Sequence, residues 1–144
     1  MKTFLKIFLI VFVVIQFFRI DKTNPPADKT KDFLYINNPP KNISAILKAS
    51  CYDCHSDETV YPWYTNIQPV GWFLKSHIEE GRSKLNFSTF ADYDLSKQVK
   101  KAHKAAKEIT EGGMPLESYL LIHRDAKLTA KDKELLSNYL LSIK

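Results

Sequence analysis

The chain has only two cysteines, two methionines and four glycines among its 144 residues. Two cysteines three positions apart rule out a disulfide framework, because the one loop they close is too short to stabilise a fold. No apolar–polar alternation bounded by turn residues is present, so the pattern of a β-sheet is missing. There is no internal repeat and no low-complexity tract. Nor is there a concentration of one charge. The formal charge is +5, and once the first 28 residues are set aside (four basic, two acidic) 17 basic residues stand against 14 acidic ones. Nucleic acid would require a clustered basic face, so it is not an expected partner. What is left is ordinary globular material, 44% hydrophobic and 26% charged, enough for one domain and a short appendage.

The appendage is at the N-terminus. Lys2 and Lys6 precede "IFLIVFVVIQFF", Ile7 to Phe18, a basic start and an apolar run in the manner of an export signal. The run is apolar on every side rather than along one stripe, unlike a core helix. The "QFFRIDK" that follows has none of the small residues a signal peptidase requires. Phe4 to Ile20 is at the short end of the 17–25 residues that span a bilayer, with Lys6 and Arg19 able to snorkel from its ends. Residues 1–20 are therefore expected to be a retained signal-anchor. Export logic then puts the rest on the periplasmic side of a bacterial inner membrane. Residues 21–41, with Pro25-Pro26 and Pro39-Pro40, read as a semi-rigid linker, in which "FLYI" (33–36) is the part able to pack on the domain.

Residues 42–144 read as short helices. Asn42 is a candidate N-cap for a helix over 43–49 carrying Ile43, Ile46 and Leu47. Pro69 opens a second, with Val70, Phe73, Leu74, His77 and Ile78 on one stripe. A third runs from about Asp94 to Glu111 with Leu95, Val99, Ala102, Ala106 and Ile109 in register, stopped by Gly112-Gly113. Pro115 opens a short fourth. Thr129 with Asp132 predicts an N-cap for a last helix that buries Leu135, Leu136, Tyr139, Leu140 and Ile143. The expected fold is all-α. Helices this short are marginal alone and need something large and apolar to pack around.

The two cysteines fall in "CYDCH", Cys51 to His55. A redox thiol pair would sit in a βαβ unit, and no strand precedes the motif. Structural zinc would draw its ligands from two separated pairs, with His77, His103 or His123 completing the set, whereas here three donors come from five consecutive residues. C-x-x-C-H is the attachment signature of c-type haem: two thiols one turn apart reach two vinyl groups, and the next residue sets its imidazole under the iron. That attachment follows export, in agreement with the N-terminus. One covalent haem c is the cofactor expected, on Cys51 and Cys54, with His55 as proximal ligand.

For the sixth ligand Met114 is expected. It is the one methionine besides the initiator, in "EGGMPLESY", between helix breakers where a core-filling methionine is out of place. Methionine with histidine is a common pairing in electron-transfer haems. His77 is the runner-up, while His103, amid Lys100, Lys101 and Lys104, reads as exposed and His123 as a helix cap. Trp63 in "YPWY" is a candidate donor to a haem propionate, and Arg82 a candidate ion-pair partner.

The stretches "YPWY", "HIEEGR", "LNFS" and "MPLESY", together with CxxCH, resemble the bacterial haem-binding domain family of small exported proteins with one c-type haem site, over about Asn42 to Lys144. The resemblance implies Cys51, Cys54 and His55 at the haem and Met114 within its M-P-L motif. His77 and Arg82 also fall on family positions. Phe90 stands where a tryptophan is expected and Arg124 where a proline is usual, both away from the ligands. The resemblance implies haem binding and supplies neither reaction nor partner. The expected function, drawn from the His55 and Met114 pair, is one-electron transfer, not enzymatic, with another haem protein or a respiratory complex as partner. The alternative is a peroxidase-like enzyme or gas sensor with an open or displaceable sixth site.

Overall fold

The computed structural model describes all 144 residues. The fold is all-α, eight helices and four 3₁₀ turns with no strand. Its backbone is a pair of helices, α6 (Leu95–Thr110) and α8 (Ala130–Leu141). Asp94 starts α6 by accepting the Lys97 N–H at 2.9 Å. Ala102, Ala106 and Ile109 form its buried stripe, and the two alanines leave room for close approach of a second helix. The predicted cap of α8 is present as a full capping box, Thr129 and Asp132 each accepting the other's backbone N–H. Leu136 and Leu140 are its buried contribution, with Leu135, Tyr139 and Ile143 partly buried against the same core.

Across this pair lies α3 (Lys41–Ser50), which inserts Ile43 and Leu47. It starts before Asn42, because the Pro40 carbonyl already accepts the Ser44 N–H at 3.0 Å. α5 (Val70–Lys84) follows Pro69 as predicted, but only part of its apolar stripe packs, Ile78 being buried and Leu74 and His77 half-buried. Val70 and Phe73 are exposed, while Gly71, Ile78 and Gly81 are buried. The contact is made by glycines where the neighbouring backbone comes too near for a side chain, and hydropathy does not register that.

The stretch 21–41, expected as a linker, lies along the domain. Asp32 caps α2 (Phe33–Asn37), and Phe33 is wholly buried at the centre of an aromatic group. Its ring is edge-on to Phe87 at 5.3 Å, Phe90 at 4.9 Å and Tyr139 at 6.4 Å. The Phe33 N–H donates to Phe87 O, and Asn24 Nδ2 to Thr59 O, both at 2.9 Å. Prolines break the helical pattern of this stretch without detaching it.

The expected anchor helix over Phe4–Ile20 is shorter than predicted. α1 (Lys2–Ile15) has 14 residues, about 21 Å at 1.5 Å per residue against a hydrocarbon core of about 30 Å. No helix is long and apolar enough to cross a membrane. The cause is Gln16. Its Nε2 donates to Phe12 O at 2.9 Å and Gln68 O at 3.1 Å, while its Oε1 accepts the Gln68 N–H at 2.8 Å. Trp72 Nε1 then donates to Phe18 O at 2.8 Å. The chain turns onto the domain where the helix was expected to continue.

Phe33→Ala should therefore destabilise the domain by about 3–5 kcal/mol in urea denaturation, the range for emptying a buried aromatic site. A free tether would show no change.

Candidate functional site

A cavity of about 360 Å³ lies between α3, α5, α6 and the loop after α6, within the range of small-molecule and cofactor sites. Cys51, Cys54, His55 and Met114 all line it, as does His77. Its walls are largely apolar, from Leu47, Leu85, Phe87, Ala105, Ile109 and Leu140, with Lys84, Lys101 and Lys104 also contributing.

Cys54 and His55 are carried by α4 (Tyr52–His55), one turn of helix, with Cys51 at the break before it. The His55 N–H donates to Cys51 O at 2.9 Å and the Cys54 N–H to the same oxygen at 3.2 Å. One turn has no stability of its own, so neighbours hold it. The Phe87 N–H donates to His55 O at 2.7 Å, and the Phe87 ring stacks on Tyr52 at 5.1 Å. Ser56 Oγ donates to Tyr52 O at 2.7 Å. Most intimate is Gly81, where a Cβ would be 2.5 Å from Cys54 O and 3.3 Å from Cys54 Cβ.

His55 Nδ1 is 3.0 Å from Leu85 O. A carbonyl only accepts, so Nδ1 carries the proton and Nε2 keeps its lone pair. Burial pulls the imidazole pKa down, against the raising effect of the Leu85 and Gly81 carbonyls. The ring thus favours the neutral form in a defined tautomer, with the Nε2 lone pair unoccupied by that bond.

The thiols are not redox-activated. Burial pushes Cys51 up to about 12 and Cys54 up to about 11, reinforced by the neighbouring Cys54 and Asp53 respectively. Reactive pairs require the opposite shift, and the two form no disulfide. No three of His, Cys, Asp or Glu come together to hold a metal ion, so the zinc arrangement is not built. An apolar cavity with two neutral thiols, one imidazole lone pair and one thioether is matched to a haem.

The other expected residues divide. His77 lines the cavity, with Nδ1 2.8 Å from Phe73 O and its ring 4.1 Å from that of Phe73. Trp63 is outside it, 74% exposed, because the extended Pro62 and the 3₁₀ turn Trp63–Asn66 bury Tyr64 instead. Arg82 also points elsewhere. Its Nε donates to Ser56 O at 2.7 Å and is 3.5 Å from Asp57 Oδ1, and its Nη2 donates to Asn24 and Thr59. His103 is exposed as expected. The His123 side chain makes no cap; its Nε2 is 2.7 Å from the Tyr64 hydroxyl.

Gly81 and the run 85–88 lie in "HIEEGR" and "LNFS", which carry the resemblance but had no structural role assigned to them. Leu85 orients His55, Asn86 donates to Asp57 at 3.0 Å, Phe87 covers α4, and Ser88 Oγ accepts the Asp57 N–H at 3.0 Å. The signal was the unusual "EGR" and "LNFS", too polar for a core and too compact for a loose loop. Gly81→Ala should cost about 1–3 kcal/mol of stability by forcing α4 and α5 apart. Thermal denaturation equal to the unsubstituted protein would show that the close approach carries no weight.

No curated protein and no solved structure matches the chain. The family model described as "Haem-binding domain" matches residues 10–142, from within α1 almost to the C-terminus. That span takes in residues 21–41 with Phe33 as well as every cavity residue named above. The chain belongs to the haem-binding domain family.

Proposed function

We propose that the chain carries one covalent haem c and transfers single electrons in the bacterial envelope. The observation that carries this reading is the convergence of both thiols, the His55 Nε2 lone pair and the domain's one thioether, Met114, on a single apolar cavity. When bound, the haem supplies an iron that cycles between ferric and ferrous states. Cys51 and Cys54 would hold the haem as thioethers, each thiol adding its S–H across one vinyl group. His55 would ligate through Nε2, its Nδ1–H held by Leu85 O so that the ring stays aimed. Met114 would ligate through sulfur, and a thioether paired with histidine would raise the reduction potential. With both ligands supplied by the protein, electron transfer would need little rearrangement.

The cationic side chains that face the cavity are Lys84, Lys101 and Lys104, and we assign the propionates to them rather than to Trp63 or Arg82. Residues 1–20 direct export, and the domain works on the periplasmic side of the inner membrane. There α1, apolar on every side and exposed, keeps it at the membrane surface. The partner is a second haem protein or a respiratory complex.

The test is spectroscopy on protein made in cells competent for haem attachment. The expected result is covalently bound haem, a low-spin six-coordinate spectrum and a weak sulfur-to-iron charge-transfer band. Met114→Ala should abolish that band and lower the reduction potential, and Cys51→Ala with Cys54→Ala should release the haem on acid extraction. High-spin iron that readily binds carbon monoxide would overturn the carrier and favour the enzyme or sensor.

A further inference from the structure

Asp53 is one of the two residues between the cysteines, and Tyr119 lies five residues after Met114. The Tyr119 hydroxyl donates to Asp53 Oδ2 at 2.7 Å, while Asp53 Oδ1 accepts the Val60 N–H at 3.1 Å. Both carboxylate oxygens are thus engaged. The Tyr119 ring lies nearly parallel to that of His123, 4.2 Å away at 9°. His123 Nε2 is in turn 2.7 Å from the hydroxyl of buried Tyr64, in the turn after "YP". Tyr119 is held at its tip by Asp53 and backed across its face by His123 of its own stretch, which Tyr64 anchors.

The stretch that Tyr119 belongs to has little else to hold it. At its start, the Gly113 and Met114 N–H groups donate to Glu108 O at 2.8 and 3.2 Å, closing the end of α6. From there to Ile122 the Tyr119 hydroxyl is the one side-chain group that hydrogen-bonds another element. The short helix α7 (Glu117–Leu120) is bonded internally, with the Tyr119 N–H on Leu116 O at 3.0 Å. Four residues cannot hold a helix by themselves. Met114 is therefore held from two sides, by its own N–H on Glu108 O and through Pro115 and Leu116 from Tyr119.

We infer that the Tyr119–Asp53 hydrogen bond, backed by the His123 ring, is a clasp that holds the Met114 loop closed against the CxxCH turn. This rests on the proposed ligation by Met114. Tyr119 is a positioning residue: it fixes the thioether-bearing loop to the very turn that carries His55, so the two axial ligands share one frame. The clasp sets how readily an outside ligand displaces the thioether. A phenol donating to a carboxylate is charge-assisted, and opening the loop must break it.

The experiment is imidazole titration of full-length holoprotein, read by loss of the sulfur-to-iron band, for Tyr119→Phe, Asp53→Ala and the double variant. The Tyr119→Phe ring keeps the stack on His123 and the fold. Each single variant should bind imidazole about tenfold more tightly, the scale of one charge-assisted hydrogen bond. The double variant should show no more than Asp53→Ala, which also gives up the Val60 N–H, since the Tyr119–Asp53 hydrogen bond is already absent from each single variant. Amide hydrogen exchange over 114–123 should accelerate in Tyr119→Phe. Unchanged imidazole affinity in Tyr119→Phe, or single effects that add in the double, overturns the clasp. Absence of the band in the unsubstituted protein instead overturns Met114 ligation. The clasp then stands if exchange accelerates over 114–123 alone and falls if it does not.

Discussion

A single turn of helix bearing two thiols and an imidazole does not hold its own shape, and the domain is arranged around that constraint. From α5, Gly81 lets the Cys54 backbone come within a distance no side chain tolerates. From the following loop, Leu85 O fixes the His55 tautomer and Phe87 bonds and covers the turn. From the N-terminal stretch, Asp32 accepts the Tyr52 hydroxyl at 2.8 Å, and from α7 Tyr119 reaches Asp53. Four separate segments converge on four residues. The orientation of His55 is the sum of these contacts.

The same constraint explains the polar groups that the domain buries. Asp57, directly after the turn, is 6% exposed. A lone buried carboxylate would be costly, yet it has Asn86 as donor, Arg82 at 3.5 Å, and its backbone N–H on Ser88. Arg82 in turn ties Ser56, Thr59 and Asn24. This network holds the exit from the CxxCH turn as firmly as Gly81 holds its side. Electrostatics that might have served a propionate are spent on the scaffold, and the lysines of α5 and α6 face the cavity instead.

Legibility followed the range of the interaction involved. Caps and breakers are local, so Asp94, Thr129 with Asp132, and Gly112 at φ 80° did as their patterns imply. The CxxCH turn and the Met114 loop were visible because their chemistry is spelled in consecutive residues. Trp63 was misassigned, since nothing local says which way a residue in a 3₁₀ turn faces. Phe33 was placed in a linker because its flanking prolines outweighed one apolar residue, although that residue fills the centre of the core. The face of α5 was read only in part for a related reason: Ile78 stood on the expected stripe, but glycines carry no hydropathy, so the close contacts at Gly71 and Gly81 are silent in a pattern of side chains.

Composition and order of residues were enough to determine the all-α class, the ends of α6 and α8, and four groups that line one cavity: Cys51, Cys54, His55 and Met114. These follow from bonding rules acting over a few residues. Only the tertiary structure decided that α1 stops at Gln16, that residues 21–41 belong to the domain, which nitrogen of His55 is free, and that Asp53 is joined to Tyr119 across 66 positions. Each of those depends on a group far along the chain arriving at hydrogen-bond distance, and no local pattern carries that information.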